Sequence, residues 1–129
     1  MSRRLVISFG IILALLAVVL GAFGAHALKS VLNEYSTQIW QTASDYHFYH
    51  ALGLLLLGIR MDKTAAHALF KMAALGLSLG VIVFCGSLYL LALTEVSKLA
   101  MLTPVGGLLF ILGWLCWLIA EWKKPQSTD

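Results

Sequence analysis

Four apolar stretches, residues 5–28, 43–59, 68–93 and 102–120, run almost without charge, and most charged side chains collect in the short segments between them. Crossing the hydrocarbon of a bilayer takes a helix of ~20 apolar residues. The pattern therefore predicts an all-α integral membrane protein, a four-helix bundle forming one domain over residues 1–129. The segment between the first two stretches has its own period. Leu28, Val31, Leu32, Tyr35 and Ile39 follow helical spacing, with Lys29, Asn33, Glu34 and Gln38 between them. A short amphipathic helix lying along the membrane surface is expected there.

Small residues mark the packing faces. Gly10, Ala14, Ala17, Gly21 and Ala25 recur every three or four positions in the first stretch, as do Ala73, Gly76, Gly80 and Ser87 in the third. Each set makes one narrow stripe on a helix. Helices in lipid associate largely through close backbone contact, which such stripes permit, so the first and third helices are expected to touch. Gly76-x-x-x-Gly80 would alternatively pair two copies of the chain. Thr103 reads as an N-cap, followed by Pro104 where a missing N–H costs nothing, and by Gly106 and Gly107, which allow close approach. Trp114, Trp117 and Trp122 toward one end, and Trp40, Tyr46, Tyr49 and Tyr89 toward the other, read as interfacial anchors.

Composition agrees, since 60% of the 129 residues are hydrophobic and only 12% charged. Counting alternate sides places Arg3, Arg4, Arg60, Lys63, Lys71, Lys123 and Lys124 on one side, and Lys29 and Lys98 on the other. The positive-inside bias puts the seven in the cytoplasm with both termini. The formal charge of +3 is thereby accounted for by orientation in a bilayer, and no nucleic acid partner is implied. A competing reading of the N-terminus is a cleavable signal, because Arg3-Arg4, an apolar run and Ala25-His26-Ala27 imitate its parts; the run is longer than the ~7–15 residues usual in one.

Candidate chemistry concentrates at the outer end. His26 closes the first helix, while His47 and His50, three residues apart, stand on one face of the second near its start. Asp45, Tyr46 and Tyr89 are placed at similar depth. Ionisable groups in a span face the protein interior or a water-filled cavity, so a sheltered polar pocket is expected. Three uses compete: a metal or haem site built on His47 and His50 with His26 from the other helix; passage of protons or a small solute through an oligomer; or a structural network fixing the outer end for a partner or lipid headgroup. His67, near Asp62 and Lys63, belongs to the inner side. Cys85 and Cys116 are placed ~18 Å apart by helical rise, too far for a disulfide. No G-x-S-x-G, Walker loop or paired catalytic carboxylates accompany these residues, so no enzyme is expected, only a scaffold or binding protein, alone or as a homo-oligomer, with the bilayer as its constant partner.

Gly21-Ala22-Phe23-Gly24-Ala25-His26, Trp40-Gln41-Thr42-Ala43 leading to Tyr46 and His50, Gly86-Ser87-Leu88-Tyr89 and Thr103-Pro104-Val105-Gly106-Gly107, in that order, resemble the YgdD-like family of small bacterial inner-membrane proteins, which has a mitochondrial membrane relative in animals. The resemblance implies four membrane helices and supplies no reaction. It also implies a shared role for His26 and His50 rather than for His47, where many members carry glutamine.

Overall fold

The computed structural model describes residues 1–61 and 67–124, and every regular element among them is helical. Helix α1 (Arg3–His26) starts at Ser2, whose hydroxyl accepts from the Leu5 N–H. Helix α2 (Glu34–Arg60) starts at Asn33, whose carbonyl Oδ1 accepts from the Ser36 N–H. Helix α3 (His67–Thr94) contains one π-helical turn at Val81–Cys85. A 3₁₀ turn at Ser97–Met101 leads into helix α4 (Thr103–Lys123). Asp62 and Lys63, counted above toward the inner face, lie outside the described residues.

Three helical stretches, Arg3–His26, His67–Thr94 and Ser97–Lys123, are long and apolar enough to cross a membrane. Helix α2 is not among them, although its 27 residues would extend ~40 Å at 1.5 Å each. Its outer half carries serine, threonine, glutamine, aspartate and histidine in place of leucine. It packs one face against the other three, burying Trp40, Ala43, Ser44, His47, His50, Ala51, Leu54 and Leu57, whereas α1 and α4 leave most of their leucines and isoleucines exposed.

Two expectations are corrected here. The separate amphipathic helix does not form: residues 27–32 are turns, and Tyr35 and Ile39 belong to the first turns of α2. The Asn33 cap explains the difference, because it starts the helix nine residues before the apolar run that marks its inner part. Nor do the first and third helices pair through their stripes. Helix α1 lies antiparallel along α2, with Gly10 against Leu55 and the Ala51 carbonyl, and Gly58 against Ile7. Helix α3 lies antiparallel along α4, where a methyl on Gly76 would stand 2.9 Å from the Gly113 Cα. Of the predicted stripe residues, Gly10, Ala17, Ala73, Gly80 and Ser87 are buried, Ala14, Gly21 and Gly76 half-buried, and Ala25 exposed. The stripe residues that pack do so against a helix adjacent in sequence, while Ala25 is exposed and Gly21 meets nothing within 4 Å.

Thr103 does not cap α4. Its Oγ1 lies 2.8 Å from the Ser87 Oγ, which also donates to the Phe84 carbonyl at 2.9 Å. That carbonyl sits in the π turn, where Gly106 meets the Phe84 backbone so closely that a methyl there would collide with its N and Cα. A backbone cannot step aside as a side-chain tip can. Gly106→Ala should therefore cost about 1–3 kcal/mol through overpacking, whereas Gly21→Ala, which meets nothing within 4 Å, should be neutral or gain up to about 1 kcal/mol of helix propensity. Unfolding titrations in mixed micelles check both.

Candidate functional site

Because α2 begins at Glu34, His47 falls at its midpoint rather than near its start. The residue is 4% exposed, and its Nδ1 lies 3.1 Å from the Tyr89 hydroxyl of α3. Tyr89 donates in turn to the Ser44 Oγ at 3.4 Å, one turn up α2. A phenol has one proton, so giving it to Ser44 leaves His47 Nδ1–H as the donor to the Tyr89 oxygen. His47 Nε2, across the ring, is buried. It and the Ser78 Oγ are the buried side-chain atoms without a hydrogen-bond partner among the described residues.

His50 turns the other way. Its Nδ1 lies 2.7 Å from the Tyr46 carbonyl, and its ring stacks on Phe110 of α4, centroids 3.6 Å apart. Trp114 closes one edge at 5.9 Å, and Gly53 makes room for that indole. Tyr46, 41% exposed, packs on Phe84 at 4.8 Å between ring centroids. The two imidazoles thus serve different interfaces, His47 toward α3 and His50 toward α4.

Trp40 is corrected from interfacial anchor to core. It is 5% exposed, its Nε1 donates to the Leu20 carbonyl of α1 at 3.0 Å, and its ring meets Tyr89 edge-on at 4.7 Å. The indole fits only because Gly24 has no side chain. At the end of the bundle where α2 starts, Glu95, in the left-handed region at φ 56°, accepts from the Asn33 amide at 2.6 Å and from the Ser36 hydroxyl at 3.4 Å. This ties the start of α2 to the end of α3. At the opposite end Arg60 pairs with Glu121 at 2.6 Å, and Trp117 Nε1 donates to the same carboxylate at 3.1 Å. Sequence reasoning missed Ser44, Ser36, Asn33, Glu95 and Glu121; only Asn33, three residues before Ser36 at the start of a helix, carries a local capping signal.

Two predicted members stand apart from the cluster. His26 is exposed in the last turn of α1, and Asp45 is turned away from the core, accepting from Gln41 Nε2 at 3.1 Å. The pairing of α1 with α2 sets His50 level with about Leu15, so His26 lies eleven residues, ~16 Å of helical rise, farther out. The metal candidates His26 and His50 are not brought together. Among the described residues no three of His, Cys, Asp and Glu could hold a metal ion.

An apolar groove of ≈ 380 Å³ opens beside this region, lined by Tyr35, Ile39, Phe84, Leu88, Leu91, Ala100, Thr103, Pro104 and Gly107. It joins α2, α3 and the start of α4 without including the histidines.

An all-helical chain with these apolar exteriors is a membrane protein, and its relatives agree. A family model described as "Protein of unknown function (DUF423)" matches residues 20–107, a span holding all four motifs quoted above. A UPF0382 membrane protein of Staphylococcus haemolyticus is 42% identical over 93% of this chain and 97% of its own length. The UPF0382 membrane protein YwdK of Bacillus subtilis is 41% identical over 93% and 98%. The chain belongs to the DUF423 family. No solved structure matches it.

The geometry separates groups that hold helices from groups left over. Tyr89→Phe removes the hydroxyl shared by His47 and Ser44 and should lower unfolding free energy by about 1–2 kcal/mol. Ser78→Ala deletes a buried hydroxyl that bonds to nothing, so it should be neutral or slightly stabilising. Opposite ranking of the two in a mixed-micelle titration would contradict this division.

Proposed function

We propose that the chain is a four-span protein of the bacterial plasma membrane, with both ends cytoplasmic, acting as a non-enzymatic scaffold or binding protein. The observation that carries this reading is the employment of its interior polar groups. Ser44, His47 and Tyr89 join α2 to α3, Trp40 joins α2 to α1, and Ser87 and Thr103 join α3 to α4. Each is engaged in holding helices together. A polar network at the centre of α2 is also what a fourth crossing requires, since a polar face is tolerated in lipid only when neighbouring helices cover it.

The charge distribution supports the orientation. Arg3, Arg4, Arg60, Lys71, Lys123 and Lys124 gather at the end where α1 starts and α4 finishes, against Lys29 and Lys98 at the other. The resemblance to the YgdD-like inner-membrane proteins, with their animal mitochondrial relative, fits the same architecture.

Fluorescent-protein fusions at Met1 and at Asp129 should both fluoresce, and alkaline phosphatase fusions at the same sites should both be inactive. Termini in opposite compartments would overturn the four-span reading. His47→Gln, which retains a donor and an acceptor but does not titrate, should keep the yield and melting behaviour of the parent and complement a deletion strain fully in competitive growth. A well-folded His47→Gln protein that fails to complement would replace the scaffold reading with a chemical one.

A further inference from the structure

Helix α2 has a second polar face, and nothing among the described residues covers it. Gln38, Gln41, Thr42 and Tyr49 are exposed and Asp45 half-exposed, on the side opposite His47. At 100° per residue, Gln38, Asp45 and Tyr49 point almost directly away from the packed face. Apart from Gln38, these residues are not above the apolar slab on the four-span reading, on which this argument rests. With Gly24 against Trp40 and Gly10 against Leu55, Asp45 lies level with about Leu20 of α1, and the apolar run of α1 continues outward beyond that level as far as Ala25. A carboxylate at that depth turned toward lipid is costly, and such groups in membrane proteins face another protein surface or water.

The same chain carries a complementary group. His26 is exposed on the neighbouring antiparallel helix, level with about Ile39, six residues or ~9 Å outward of Asp45. Side chains lean toward the N-terminus of their own helix, so His26 hangs inward from α1 while Asp45 and Gln41 tilt outward from α2. The difference in height narrows from both sides. Within one copy His26 makes no hydrogen bond to Asp45, whose partner is the Gln41 amide.

We propose that a second copy of this chain covers the outward face of α2, His26 of each copy pairing with the Gln41–Asp45 pair of the other. Both copies enter the membrane in the same orientation, so the axis relating them runs along the membrane normal and the contact is isologous, made twice. A twofold arrangement answers Asp45 with an imidazole rather than with a second carboxylate. It also covers the glutamines, whose amides donate and accept equally and so suit a self-complementary surface. Pairing of this kind distinguishes the proposal from association through glycine stripes, since Gly76 is already closed against Gly113.

The test uses the full chain in native membranes, with Cys85→Ala and Cys116→Ala removing the native thiols. Thr42→Cys in this background should give, under oxidation, a disulfide-linked species of twice the chain's 14.1 kDa. Leu112→Cys, on the exposed side of α4, should give none. Adding Asp45→Leu, at a half-exposed position, or His26→Leu, at an exposed one, should weaken dimerisation measured in detergent about tenfold. No excess of the Thr42→Cys dimer over the Leu112→Cys control overturns the proposal. So does an adduct of another mass, which would assign this face to a different protein. The fusion reporters separate the two failures: opposite termini sink the four-span reading, whereas shared termini without the α2 crosslink sink the dimer alone.

Discussion

A buried polar group left without a hydrogen bond is costly, so a helix that buries Ser36, Ser44, His47 and His50 along one face must find partners for that face on neighbouring helices. Much of the architecture follows from satisfying α2. Helix α1 takes the Trp40 indole on its Leu20 carbonyl, α3 supplies the Tyr89 hydroxyl and the Glu95 carboxylate, and α4 supplies the Phe110 ring against His50 and Glu121 for Arg60. The other three helices can then be almost featureless outside, as their exposed leucines, isoleucines and valines are.

Glycine supplies the complementary half of the design. With no hydrophobic force between helices in a bilayer, attraction depends on how closely backbones approach. Gly24 admits the Trp40 ring, Gly76 meets Gly113, and Gly106 seats against the Phe84 backbone inside the π turn of α3. The extra residue of that turn resets the register of everything after it, bringing Ser87 to Thr103 and Tyr89 to His47. The four sequence motifs therefore describe one continuous set of contacts: first with second at Gly24 and Trp40, second with third at Trp40 and Tyr89, third with fourth at Ser87 and Thr103.

Apolar runs foretold the three helical stretches long and apolar enough to cross a membrane, because their length and composition answer directly to the thickness of hydrocarbon. The start of α2 was not legible in that way, since Asn33 caps a stretch whose polar residues break the run. The same misplacement set His47 and His50 too shallow and so grouped them with His26. Small-residue spacing identified most of the positions that pack but carried no information about which helix would receive them, and chain adjacency decided that in favour of α1 with α2. Trp40 looked like a boundary residue because tryptophan is common there; only the notch at Gly24, contributed by another helix, reveals it as core. Long-range partners such as Glu95 for Asn33 leave no trace in spacing.

The modest apolarity of α2 bears on how the protein enters the membrane in the first place. A segment with a polar flank gains little by partitioning alone, yet its flank is complementary to the helix synthesised just before it, reached through a connector of only a few residues. On the four-crossing reading, α1 and α2 would leave the insertion machinery as a preassembled hairpin, the Trp40–Leu20 bond already formed. Helix α1 is then a chaperone for its successor, which accounts for a glycine at position 24, where a larger residue would exclude the indole before α3 and α4 had been made.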